Sequence, residues 1–95
     1  MNEEFEARIL AVLHALGPGE VVSYGEVAEE AGLPGRARLV GRLLSSGEHD
    51  VSWWRVVNSV GRLVPGHEAE HAERLRAEGV EIRGNRVANA LRSPR

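Results

Sequence analysis

The sequence predicts a mainly α-helical fold in which a helix-turn-helix is followed by a small β wing. Three observations carry that expectation. Apolar residues recur at helical spacing through the first half of the chain. A capping box and two Pro-Gly turns cut that half into short helices. Then Val51-Ser52-Trp53-Trp54-Arg55-Val56-Val57, aromatic and β-branched, breaks the helical pattern.

Phe5, Ile9, Leu13 and Leu16 form the apolar stripe of a first helix. Asn2 is placed to cap it, Glu3, Glu4 and Glu6 fill its first turn, and Gly17-Pro18-Gly19 ends it. Ser23-Tyr24-Gly25-Glu26 has the capping-box pattern, so a short helix should run to Ala31 and stop at Gly32. After the turn Leu33-Pro34-Gly35, another helix is expected from about Arg36 to Ser46. Ala37, Leu39, Val40, Leu43 and Leu44 make its buried stripe, and Arg38, Gly41, Arg42 and Ser45 share the opposite face. A mid-helix Gly costs ~1 kcal/mol against Ala. That face is either a solvated one with a tolerated Gly, or one shaped for another molecule's close approach.

Trp53 to Val57 reads as a strand, Asn58-Ser59-Val60-Gly61 as a tight turn and Arg62-Leu63-Val64 as a second strand. Alternation along a strand would send Trp53 and Trp54 to opposite faces. Residues 67–78 read as a further helix closed by Gly79, and Val80 to Val87 as a strand or hairpin around Gly84-Asn85. Ala88 to Arg95 reads as a frayed tail. Without an internal repeat or linker, residues 1–95 are expected to form one domain.

At 42% apolar and 27% charged residues the composition is that of a soluble globular chain. It has neither a run near the ~20 apolar residues of a membrane span nor a signal-peptide pattern, so a cytoplasmic protein is expected. There is no cysteine, which excludes disulfides, thiolate metal sites and every cysteine nucleophile. All 12 basic residues are arginine. Residues 1–35 carry one Arg against seven Glu, whereas residues 36–62 carry five Arg against one Glu and one Asp. A basic middle in a chain of net charge −2 is a one-faced electrostatic footprint for a polyanion.

His67-Glu68-Ala69-Glu70-His71 fits H-E-x-x-H. A catalytic zinc needs a third protein ligand and a substrate cleft, and no His follows His71. The stretch therefore reads as a solvated polar helix face, and neither metal nor cofactor is expected. His14 and His49 read as isolated surface or packing residues.

Val22-Ser23-Tyr24, Ala37-Arg38-Leu39-Val40-Gly41 and Ser52-Trp53-Trp54-Arg55-Val56-Val57 resemble, in that order, the O6-alkylguanine-DNA alkyltransferase family. The likeness is to its C-terminal DNA-binding domain and, more narrowly, to the alkyltransferase-like proteins. In the active family the core motif is Pro-Cys-His-Arg-Val; here Ser52, Trp53 and Trp54 stand at the Pro, Cys and His. Alkyltransferase-like proteins keep Pro-Trp-His-Arg, so Ser52 and Trp54 are further departures. Glu78-Gly79 resembles the Glu-Gly whose carboxylate orients that His.

The resemblance implies a helix lying in the minor groove, with Arg38 as the finger that replaces an extruded nucleotide. It implies a lesion pocket of Tyr24, Trp53, Leu63, Val64 and Pro65. Ser23, Gly41, Arg42, Ser45 and Ser59 would contact the DNA backbone or groove. The family's hinge Asn is absent, with Gly47 standing near its place, and the loop Leu63-Val64-Pro65-Gly66 is shorter than the family's and lacks its Tyr-Ser-Gly. Indole carbon is a poor nucleophile beside a thiolate, so no alkyl transfer is expected. The implied function is to bind alkylated guanine in double-stranded DNA as a monomer and to flag it for nucleotide excision repair proteins at the nucleoid. The rival reading from the residues alone is a winged-helix regulator of undamaged DNA. A third is a domain that binds protein through its Trp pair.

Overall fold

Asn2 opens the first helix as its position predicts: the Asn2 side chain accepts hydrogen bonds from the backbone N–H groups of Glu4 (2.8 Å) and Phe5 (3.2 Å). In this computed structural model residues 2–88 are described, and the first helix, α1, spans Glu3–Ala15. Ile9 and Leu13 are its fully buried positions, one turn apart. A short strand, β1 (Val22–Ser23), leads directly into α2 (Tyr24–Glu30). Both halves of the capping box are made: Glu26 N–H to Ser23 Oγ at 3.1 Å, and Ser23 N–H to Glu26 Oε1 at 2.9 Å. Gly32, with φ 78°, turns the chain in the left-handed region where a Cβ is penalised. The next helix, α3 (Ala37–Ser45), packs on α2 to complete the helix-turn-helix.

The tryptophan stretch departs from expectation. Trp53–Arg55 is one turn of 3-10 helix, and only Val56–Val57 is strand (β2). β2 does not pair with Arg62-Leu63-Val64; it pairs in parallel with β1, Val22 opposite Val56 and Ser23 opposite Val57. The reason lies in Glu78, which binds both Trp54 and Arg55. Consecutive residues of a strand point to opposite faces and could not both reach one carboxylate, whereas a tight helical turn brings them together.

The turn at 58–61 forms as expected, with Gly61 N–H bonded to the Asn58 carbonyl (2.9 Å). Beyond it Arg62 makes a single antiparallel bridge to Arg86. The wing is therefore built from that bridge and the hairpin β3 (Ile82–Arg83) and β4 (Arg86–Val87) around Gly84-Asn85. Helix α4 (Glu68–Ala77) sits between, ended by Gly79 at φ 85°. Of the expected tail, Ala88 bonds the Glu81 carbonyl (2.9 Å), and the rest lies outside the described residues.

Two apolar cores result among the described residues. The first gathers α1, α2 and α3 around Val22 and Val56; the second gathers Leu63, Ala72, Leu75 and Val80 around Val21 and Val57. The β1–β2 ladder is the partition, and period-two alternation sends Val56 into one core and Val57 into the other. Among the described residues, no helix is long and apolar enough to cross a membrane.

Candidate nucleic-acid interface

Between α3 and α4 lies a pocket of about 380 Å³, lined by Tyr24, Gly41, Leu44, Ser45, Gly47, Trp53, Val64, His67 and Glu70. Each wall has a local cause. Tyr24 is the first residue of α2, fixed by the capping box, and β1 leads it in beside β2. Burial raises its pKa, so its phenol stays protonated at neutral pH. Gly41 and Ser45 are one turn apart on the face of α3 opposite its core stripe. Gly47 leaves α3 with φ 69°, a left-handed position that suits Gly.

Trp53 and Trp54 do separate, though not by strand alternation. Their rings are perpendicular (87°) with centroids 6.1 Å apart. Trp53 lines the pocket and belongs to neither core, whereas Trp54 packs on the second core. The Trp54 indole N–H donates to Glu78 Oε2 at 2.8 Å. Arg74 lies over the Trp54 ring at 4.6 Å and Arg55 at 5.5 Å, each within cation–π range.

Glu78 joins three segments. Besides Trp54 it accepts from Arg55 Nη2 (2.7 Å) and Nε (3.0 Å) and from the Gly19 backbone N–H (2.8 Å). Burial alone would raise its pKa, but the Arg55 hydrogen bond, the Gly19 and Trp54 N–H groups and the Arg55 charge together bring it below the ordinary value. Arg55 also donates to the Leu16 carbonyl (2.8 Å) and to Ser52 Oγ (3.1 Å). Its guanidinium is therefore internal and leaves the basic footprint counted from sequence. Arg36, Arg38, Arg42 and Arg62 remain exposed.

The residues singled out from sequence divide accordingly. Tyr24, Trp53 and Val64 come together at the pocket, and Gly41 and Ser45 line it from α3. Leu63 does not line it: with its N–H bonded to the Asn85 carbonyl (2.8 Å), it points into the second core and is 1% exposed. Pro65 is exposed outside the lining. Ser23 is buried, and its hydroxyl is held by the α2 cap, so it offers no outward contact. Arg38, Arg42 and Ser59 are exposed, Ser59 in the 58–61 turn. Sequence reasoning missed Leu44, Gly47, His67 and Glu70 as lining. It also placed His71 on a solvated face, whereas His71 is fully buried. The signal was available: Leu75, the one large apolar residue of α4, lies one turn after His71. Among the described residues, no cluster of His, Cys, Asp or Glu could hold a metal ion.

Gly41 tests whether the pocket rim is shaped for a ligand. A Cβ built there meets nothing within 4 Å, so packing inside the protein does not require glycine. Gly41→Ala is expected to stabilise the chain by up to ~1 kcal/mol in thermal melts while weakening DNA binding. A variant that gains stability and keeps full affinity would show that no close approach occurs at this position.

A helix-turn-helix with exposed arginines on its second helix has the form of a DNA-binding domain, and the aromatic pocket bordering that helix offers a stacking face beside it. Residues 4–80 match the family described as 6-O-methylguanine DNA methyltransferase, DNA binding domain, and the chain belongs to that family. Its likeness is to the alkyltransferase-like members. A protein of Vibrio parahaemolyticus called DNA base-flipping protein is 38% identical over 84 residues, covering 84% of each chain. Alkyltransferase-like protein 1 of Schizosaccharomyces pombe is 35% identical over 86 residues, covering 84% of this chain and 80% of its own. The crystal structure of that yeast's alkyltransferase-like protein in complex with DNA superposes with a TM-score of 0.82 at 32% identity, over 94% of this chain and 92% of that one. The O6-methylguanine methyltransferase of Mycobacterium tuberculosis matches with a TM-score of 0.65 at 31% identity, over 82% of this chain but 50% of its own.

Proposed function

We propose that this protein recognises O6-alkylated guanine in double-stranded DNA, holds the extruded base in the pocket without repairing it, and flags the site for nucleotide excision repair. The observation that carries the reading is Trp53 in the pocket of a chain without cysteine; by the resemblance of its core motif, Trp53 stands where the family's acceptor Cys would be. The yeast relative has been crystallised with damaged DNA containing O6-carboxymethylguanine, and matches with a TM-score of 0.78 at 34% identity.

In this reading α3 enters the minor groove with Gly41 and Ser45 towards the DNA. Arg38, exposed on the same helix, fills the gap left by the extruded nucleotide. Arg42 and Ser59 contact the backbone. Tyr24, a neutral phenol, stands beside the rotating nucleotide as a hydrogen-bond donor. Extruding a base costs a few kcal/mol, and stacking on an aromatic wall returns ~1–3 kcal/mol of it. Trp53 has no S–H to ionise and so no thiolate to attack the alkyl carbon, and the protein would act by residence on the lesion.

The test is a titration of matched duplexes with and without one O6-methylguanine, followed by mass spectrometry of the protein. Tighter binding of the lesion duplex with unmodified protein is expected, and Arg38→Ala should erode that preference more than Arg42→Ala. Equal binding to both duplexes, or a stoichiometric methyl adduct on the protein, would overturn the reading. The recruitment step is tested separately, by asking whether excision of the lesion in a reconstituted repair reaction speeds up when the protein is added.

A further inference from the structure

His71 is a titratable group buried completely behind the pocket, and both of its ring nitrogens are in use. The Val64 backbone N–H donates to Nδ1 at 3.1 Å. Nδ1 must then carry the lone pair, so Nε2 carries the proton and donates to the Trp54 carbonyl at 2.8 Å. The Trp53 ring stands 5.1 Å away, edge to face. Val64 and Trp53 are two walls of the pocket, one on the loop leaving Leu63 and the other on the 3-10 turn. Among the described residues no strand pairing joins those two segments; β2 pairs with β1, and Arg62 bridges to β4. The imidazole is a hydrogen-bonded link between them.

We propose that His71 is the positioning residue of the base pocket: its neutral Nε2–H form sets the separation of the Val64 and Trp53 walls, and protonation releases the Val64 loop. This rests on the reading of the pocket as a base site. The physical step is simple. A proton on Nδ1 turns the acceptor of the Val64 N–H into a donor, so two N–H groups face one another and the loop must withdraw. The bond to the Trp54 carbonyl survives protonation, so the tryptophan turn stays and one wall moves.

At the cap of its own helix His67, one turn earlier, acts on it through space and disfavours its protonation. Further along that helix Arg74 lies over the Trp53 and Trp54 rings, at 5.9 and 4.6 Å, and is paired with Glu70 at 3.1 Å. From the 3-10 turn it meets the uncharged Trp54 carbonyl and Trp53 ring, and Arg55 of that turn is paired with Glu78 at 2.7 Å. From the loop it meets the Val64 N–H. Burial lowers its pKa from the ordinary value; the Trp54 carbonyl opposes this and His67 adds to it. The imidazole is therefore neutral at neutral pH, and the release belongs to the acid side of histidine's usual range.

The test uses the full chain and duplexes with and without one O6-methylguanine. Nitrogen–proton NMR of the wild type follows the His71 ring and the Val64 amide from about pH 7.5 to about pH 5, with circular dichroism confirming that the fold persists. The Val64 amide should shift with the His71 titration, and the lesion-to-plain affinity ratio should fall roughly tenfold over the same interval. His71→Leu should show the low ratio already at neutral pH and lose the pH dependence. His67→Gln should keep that dependence whatever it does to affinity. A His71 ring that stays neutral until the fold itself is lost, a Val64 amide that stays still while His71 titrates, or a ratio that is flat across the titration or follows His67, overturns the proposal; because these are wild-type readouts, a misfolded variant does not shield it. A Val64 amide that follows His71 in a protein with no lesion preference at any pH would instead sink the base-pocket reading and leave the positioning role standing.

Discussion

Glu78→Ala is expected to lower stability by ~3–5 kcal/mol, the cost of leaving a buried ion without its partner. Arg55 and Glu78 have side chains only 12% and 13% exposed, so solvent screens them little. Removing the carboxylate strands the Arg55 guanidinium, the Trp54 indole N–H and the Gly19 N–H together, because all three end on the same two oxygens. The effect should depend on pH. The folded-state pKa of Glu78 lies below its unfolded value, so its contribution is fully present above the unfolded pKa and fades as pH falls through the folded one. Urea melts of wild type and Glu78→Ala at neutral and acidic pH should therefore converge on the acid side. A constant gap would mean that the carboxylate stabilises by packing and not by charge. Glu78→Gln separates the terms further, since an amide oxygen can accept from only part of this set.

The two tryptophans should part company when each is replaced by alanine. Trp53→Ala removes a ring that belongs to neither core, so it should melt close to wild type. Its loss should appear in the preference for alkylated over plain DNA, by roughly 10–100-fold if one stacking face is removed. Trp54→Ala should cost ~2–3 kcal/mol, somewhat less than a fully buried Trp, because the ring is half-buried but carries a hydrogen bond to Glu78 and packs on the second core. Lesion preference at a temperature where that variant remains folded should be largely kept. An early melt for Trp53→Ala together with lost lesion preference in Trp54→Ala would reverse the assignment of wall and prop.

Local signals announced local structure. Asn2, the Ser23–Glu26 box, the apolar stripe of α3 and the Gly84-Asn85 hairpin each form where their chemistry places them. What stayed hidden depends on partners far along the chain. The 3-10 turn at Trp53 follows from a carboxylate 23 residues beyond Arg55, and nothing in the Trp-Trp-Arg stretch itself discloses that pull. β1 is two residues long and gains its partner 34 positions later, too short for any period to register. Leu63 and Val64 both looked like pocket wall, and the bridge to Asn85 decided which one turned inward. His71, among Ala and Glu, read as polar surface because its partners are backbone groups, which leave no trace in composition.

The two-rung ladder between β1 and β2 also governs how the molecule comes apart. Its first rung, Val22 and Val56, lies in the helical core, and Val57 of the second lies in the core beneath α4, so along β2 the two halves share adjacent residues and neither can melt while the other keeps its packing. In amide hydrogen exchange the ladder should behave as part of a single cooperative unit, its protons released only by global opening, while the exposed 58–61 turn exchanges through small local fluctuations. A DNA-bound pocket framed by Tyr24 on one side of that ladder and Trp53 on the other would then be as durable as the whole fold.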